Sequence, residues 1–404
     1  MTVHAAVAAT AWAAATDSAS RRPLRLQVAG HAGQFHAAAP GTLHKHTNRV
    51  EARFYRDAQT GAACAAGLPA FLPAFRGIVV ASDAVDGEAV GAPDGVVPRL
   101  DAPIGLAAGS AAGDASDDDA AQGPATIALA DVLTAFLQPH VLDIKLGTVL
   151  WDRWATPAKR DRMQQQAAAT TSAAVGLRIC GMALSARLPL PSKGPAATKD
   201  GAVDAVDAVD AVVDDLLAQA RLDPAAAAQL RPSLAQGVTL TRLPETPFSP
   251  SPCPPSLQVQ WDKTLGRTLP AAALPAALEI FLAAATPAQR RALAARVSAL
   301  QATLHQLPHL VCIGCSLLMI YDTAPEGPPC TLGDDHDHDH DHGDGGGGSG
   351  HAGSTPSLAN AWLIDFAHSE VAGAPAYPAD AAAAIRDGVH AGLAQLAAWI
   401  LASS

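Results

Sequence analysis

The stretch PHVLDIKLG, Pro139 to Gly147, decides how this chain is read. A strand alternates its side chains between two faces, so Leu142, Ile144 and Leu146 are expected to point into a core while Asp143 and Lys145 point together to the other side. An acid and a base held side by side on a rigid strand suit phosphate and metal chemistry, and Gly147 at the strand's end permits close approach of another group.

The background fits a folded protein of several compact units. The chain has 404 residues, 49% hydrophobic and 16% charged, enough for a sizeable core. Much of the apolar share is Ala and only 4% is aromatic, so the mean hydropathy of +0.15 overstates core strength. No run approaches the roughly 20 strongly apolar residues that span a bilayer, which predicts no transmembrane segment. The net charge of −11, with no basic run interleaved with aromatics, argues against a nucleic-acid partner. The six Cys residues, without a secretory signal, read as free thiols. Cys312 and Cys315 form a CxxC, but no second pair or well-placed His completes a zinc site, and their apolar run reads as a buried strand.

Low-complexity segments mark interruptions. Residues 1–23 read as a disordered extension, and 109–123 as an acidic loop. The segment of about 189–256 holds a period-three AVDAVDAVDAV whose small, acidic composition is expected to bury little. Residues 325–357 include His336, His338, His340 and His342 alternating with Asp, a solvated linker able to bind Zn, Ni or Cu adventitiously. The acidic loops are also candidate sites for protein partners. Strands are expected at Leu24–Ala29, Gly77–Ala81, Thr126–Leu129, Leu177–Leu184, Leu310–Tyr321 and Trp362–Phe366. Helices are expected at Val50–Ala58, Ala271–Ala284, Pro287–Leu307 and Ala379–Leu401, with another begun by Thr156 and Pro157.

Six further blocks accompany PHVLDIKLG in order: LQVAGHAG from Leu26, Lys45 followed by EARFYRD from Glu51, TTSAAVGLRICGM from Thr170, WDKTLGRTL from Trp261, CSLLMIYD from Cys315 and LIDFAHS from Leu363. Together they resemble the inositol polyphosphate kinases, nearest to the multikinases of fungal type. The resemblance implies an α+β, two-lobed protein-kinase-like fold: an N-lobe at 24–133 holding the nucleotide sheet, and a catalytic and inositol-binding C-lobe at 134–404. It also implies ATP and Mg²⁺. By the same resemblance Lys45 contacts the ATP phosphates, Asp365 holds the metal, and Asp131 and Val132 lie in the nucleotide hinge. Lys145 lies between the γ-phosphate and the acceptor, and Asp143 contacts the nucleotide ribose or orients groups near the acceptor. Asp365 is placed on a strand, opposite in direction to Ile364 and Phe366.

Lys159 and His368 match acceptor contacts. Arg160 and Arg162, on the same helix as Lys159, extend a basic face suited to inositol phosphates or are an ordinary solvated face. Lys263 and Arg267 are expected to serve substrate contact or lobe packing, and Ser316 a structural position. The reaction so implied is ATP-dependent phosphorylation of ring hydroxyls of inositol tris- and tetrakisphosphates, in nucleus or cytoplasm. The alternatives are a hexakisphosphate kinase that forms pyrophosphates and a non-catalytic scaffold on the same fold.

Overall fold

The computed structural model describes residues 26–28, 30, 33–79, 123–186, 206–242, 257–323, 358–371 and 377–402. The first sheet is antiparallel, in the order β1 (Phe35–Ala37), β2 (Thr42–Asn48), β4 (Pro124–Ala130), β3 (Phe75–Ile78). Helix α1 (Arg49–Ala58) follows β2 directly; Asn48 caps it by accepting from the Glu51 amide. Its buried residues Val50, Glu51, Phe54, Tyr55 and Ala58 recur at helical spacing, so one stripe faces inward and carries Glu51 with it. A short helix, α2 (Gly61–Ala65), and a single 3₁₀ turn (Leu68–Phe71) lead on to β3.

The second sheet has six antiparallel strands, in the order β10 (Ala359–Ile364), β9 (Ser316–Asp322), β5 (Pro139–Leu146), β6 (Leu177–Ala186), β8 (Leu257–Trp261), β7 (Val238–Arg242). The signature strand β5 is therefore central, with Lys145 opposite Ser316 on one side and Arg178 on the other. Leu142, Ile144 and Leu146 join Met182, Leu317, Met319 and Leu363 in the main core, as the alternation predicted. The opposite face holds a smaller apolar cluster of Leu26, Phe136, Val141, Ala183 and Ile320, beside Asp143 and Lys145.

Helix α3 (Pro157–Ala168) starts where the Thr156–Pro157 signal placed it, with Thr156 accepting from the Lys159 amide. After the short α4 (Thr171–Val175), α5 (Val206–Gln219) and α6 (Pro224–Leu234) precede β7, and α7 (Lys263–Thr268) and α8 (Leu274–Leu282) follow β8. Helix α9 (Pro287–His305) opens on a Thr286–Gln289 capping box and packs along the terminal α10 (Ala379–Ala402). Close approach sets glycines here: a Cβ on Gly176 would stand 2.5 Å from the Gly388 carbonyl oxygen of α10.

Several expectations are corrected. The repeat segment does bury surface: Ala208 and Val212 of α5 lie in the core with Val213 and Leu216 just beyond the repeat, because Ala208, Val212 and Leu216 stand four residues apart and share one helical face. Leu26 to Val28 form no strand; they lie across β6, where a Cβ on Gly181 would meet the Val28 carbonyl oxygen at 2.2 Å. Cys312 and Cys315 are buried and free but sit in the loop before β9, which begins only at Ser316. The expected helix at Ala271 is a 3₁₀ turn up to Leu274. Strands β1, β2, β7 and β8 were not foreseen. The expectations for residues 1–23, for 109–122 of the acidic loop and for the His/Asp tract lie outside the described residues. Among the described residues no helix is long and apolar enough to cross a membrane.

Candidate active site

Lys45 sits in the middle of β2, paired with Phe35 on β1 and Ile127 on β4, and its side chain is 4% exposed. Its Nζ donates to Glu51 Oε1 at 2.7 Å and to Asp365 Oδ1 at 2.6 Å. Burial disfavours the ammonium, but the Asp365 and Glu51 carboxylates outweigh it and push Lys45 well above its ordinary range. Glu51 is fully buried and also accepts from the Thr47 hydroxyl and, at 3.1 Å, from the Phe366 amide. One carboxylate thus ties β2 and α1 to the segment after β10. Phe54 stacks on Phe366 at 3.8 Å, and the Asn48 amide donates to the Ala367 carbonyl, completing the junction of the two sheets.

Asp365 departs from the expected geometry. β10 ends at Ile364, and Asp365 has φ +65°, the left-handed region that Asp tolerates better than most side chains. Its carboxylate reaches Lys45 through that turn in the backbone and not by strand alternation.

Asp143 and Lys145 do share a face. Asp143 is 4% exposed, its Oδ1 has no hydrogen-bond partner, and its pKa is pushed up to about 7. Burial is the main cause and the Asp365 charge the second; Lys145, the nearby Ser316 hydroxyl and Lys45 act in the opposite sense. Ser316, expected to be structural, therefore belongs to the electrostatics of the site. Lys145 Nζ donates to the Gly314 carbonyl at 2.6 Å. Gly147 supplies φ +91°; the group nearest its missing Cβ is the Val389 side chain at 3.4 Å, an ordinary contact.

Asp131 caps the turn Val132–Ala135 by accepting from the Leu133 amide, and Val132 and Leu133 pack on the cluster around Leu26 and Val141. This junction of β4 and β5 borders the face that carries Asp143. On the far side, Lys159 and His368 meet at the buried Asp152: Asp152 Oδ2 accepts from His368 Nδ1, and Lys159 Nζ lies 3.9 Å away. Burial alone would raise Asp152, but the hydrogen bond and charge of His368, then Lys159, hold it below the usual carboxylate range. Arg160 stacks over Trp151 at 4.3 Å and Arg162 is exposed. Lys263 and Arg267 are exposed too, while Gly266 between them presses on β6. The sequence reading gave no role to Glu51 or Asp152. For Glu51 the signal was its place on the buried stripe of α1, and for Asp152 nothing local marked it.

Among the described residues no group of three or more His, Cys, Asp or Glu side chains converges as a metal site. Asp143 and Asp365 are nevertheless close enough to perturb one another, and one buried Asp143 oxygen lacks a partner. Two hard carboxylate donors of this kind fit a Mg²⁺ or Mn²⁺ ion whose remaining ligands come from nucleotide phosphates and water.

The profile of the family described as inositol polyphosphate kinase matches residues 126–400, well over half of the 404. The chain belongs to the inositol polyphosphate kinase family. An inositol polyphosphate multikinase of Saccharomyces cerevisiae is 46% identical over 56 residues, 14% of this chain and 16% of that protein. A crystal structure described as inositol phosphate multikinase Ipk2 of S. cerevisiae with ADP and Mn²⁺ aligns over 91% of this chain and 97% of the other, at 20% identity and a TM-score of 0.46. A second solved structure, from structural and engineering work on inositol phosphate multikinase, aligns over 68% and 84%, at 13% identity and a TM-score of 0.36. In this inositol polyphosphate kinase the family match takes in Asp143, Lys145, Lys159, Asp365 and His368 and begins after Lys45 and Glu51. The Lys45–Asp365 contact joins that earlier segment to it.

Proposed function

We propose that the chain is an ATP- and Mg²⁺-dependent kinase that phosphorylates ring hydroxyls of inositol tris- and tetrakisphosphates. The observation that carries this reading is the convergence of Lys45, Glu51 and Asp365 from separate elements beside Asp143 and Lys145. Phosphoryl transfer asks little covalent chemistry of a protein and much positioning and charge. Lys45, held by two carboxylates, is a fixed cation for nucleotide phosphates. Lys145, whose Nζ donates to the Gly314 carbonyl, is available to charge that develops on the transferring group. Asp365 and Asp143 would hold the metal, which when bound would supply positive charge to the phosphate oxygens. Asp143, ionised when it holds the metal and on the same face of β5 as Lys145, orients the attacking hydroxyl. Lys159 and His368 take the acceptor's phosphates, with Arg160 and Arg162 on the outer face of the same helix.

The reading is tested by incubating purified protein with ATP, Mg²⁺ and, separately, inositol tris-, tetrakis- and hexakisphosphate, with products resolved by anion exchange. Stepwise phosphorylation of the first two that is absent from Asp365→Ala is expected. Turnover of hexakisphosphate alone would move the assignment to pyrophosphate formation, and no turnover with no nucleotide binding would sink it.

A further inference from the structure

Two basic side chains from distant parts of the chain, Lys159 on α3 and His368 after β10, meet on one carboxylate that the scheme above leaves unused. Asp152 is 2% exposed, whereas the His368 and Lys159 side chains are 42% and 38% exposed. A buried acid therefore carries two solvent-facing groups. The other ionisable groups around it are Glu370 and Arg153, paired with each other at 3.2 Å, and Tyr377, whose hydroxyl accepts from the Arg153 amide at 3.1 Å. The Arg153–Glu370 pair balances itself, so Asp152 answers to Lys159 and His368.

We propose that Asp152 is a positioning residue for the acceptor. By accepting from His368 Nδ1 it fixes the ring plane, so that in the imidazolium form the Nε2–H is left to donate to the substrate, much as a carboxylate orients a catalytic imidazole from behind. By drawing Lys159 toward the same point it presents an ammonium and, in the protonated ring, a second N–H donor as one clamp for a phosphate of the acceptor. At 3.9 Å the lysine is held loosely, so it can turn onto an incoming anion without breaking a short bond.

This rests on the kinase reading, and the experiment separates the two. In steady-state assays with inositol trisphosphate, Asp152→Asn is expected to raise KM about tenfold, the loss of one charge-assisted contact, with kcat within about threefold. Asp152→Glu is expected to recover most of that loss, and ADP affinity is expected to stay unchanged in both. By NMR, the His368 Nδ1–H resonance of the parent protein is expected to vanish in Asp152→Asn. His368→Gln alters an exposed ring and so spares the fold; in it the Asp152 carboxyl, followed by ¹³C NMR, is expected to titrate at higher pH. An unchanged KM in Asp152→Asn, or an unmoved Asp152 titration in His368→Gln, overturns the proposal. Failure of the parent protein to turn over any acceptor would instead remove the kinase reading, and the two NMR measurements would still decide the Asp152–His368 link.

Discussion

Asp143 holds a carboxyl where water does not reach, and that sets a pH dependence. Its pKa of about 7 lies above the unfolded value of 3.8, so between the two the native state binds the extra proton and stability falls as pH rises. In chelator and without nucleotide, Asp143→Asn is expected to remove that slope: the variant gains about 2 kcal/mol over the parent on going from about pH 5 to pH 8. Thermal denaturation across that range checks it, and parallel curves for the two proteins would refute it. The same variant is expected to be inactive, a stability gain at the cost of function. Glu51 behaves oppositely. It is fully buried against Lys45, so Glu51→Gln leaves a buried ammonium with one carboxylate fewer and is expected to cost about 3 kcal/mol, read from chemical denaturation. ADP affinity should fall with it, since Lys45 loses a fixed position. The Asp143–Lys145 face was legible because period-two alternation needs only five residues. The Lys45–Glu51–Asp365 contact was not: its members lie 6 and 320 positions from Lys45, and the φ of +65° at Asp365 comes from tertiary context.

At the scale of elements, the block WDKTLGR shows how a charged motif can owe its form to packing. Trp261 Nε1 donates to the Leu234 carbonyl at 2.7 Å, Asp262 caps α7, and Gly266 lies so close to β6 that a Cβ would stand 1.8 Å from the Ile179 carbonyl oxygen. Gly266→Ala is therefore expected to destabilise by about 3 kcal/mol or more, because α7 must leave the strand that pairs with β5. Lys263→Ala and Arg267→Ala, on exposed positions, are each expected within about 0.5 kcal/mol of the parent. Equal losses for all three in urea denaturation would contradict the packing assignment. Elements with a capping signal, such as α1, α3 and α9, were legible for the same local reasons that form them. The start of α5 was misread because a period-three repeat of Ala, Val and Asp looks like low complexity until a neighbouring surface accepts its Ala208 and Val212. β2 was missed because His, Lys and Thr give no apolar alternation.

For the whole molecule, the segment between β9 and β10 gives a test of which residues the fold needs. The two strands pair antiparallel from Tyr321 with Ala359 to Ser316 with Ile364, and the Asp322 amide donates to the Leu358 carbonyl at 3.0 Å. Residues 323 and 358 thus leave and re-enter the sheet side by side, at the end of the strands away from Asp365. That end is already fixed by other bonds: Asp322 accepts from the Leu137 and Gln138 amides, and its carbonyl accepts from Gln289 Nε2. Replacing residues 324–357 with a four-residue turn keeps every one of these contacts and shortens the chain that joins the two strands. By chain entropy, which grows slowly with loop length, the trimmed protein is expected to be more stable by about 1–2 kcal/mol. Its turnover of inositol phosphates is expected to stay within about twofold of the parent, because Asp365 and its partner Lys45 lie past the opposite end of the hairpin and Asp143 pairs with Leu318 in the half of β9 nearer that end. Denaturation midpoints and rates measured side by side decide it. A large loss of stability would mean that the replaced residues contribute contacts to the fold, and a loss of activity at unchanged stability would place them in the reaction.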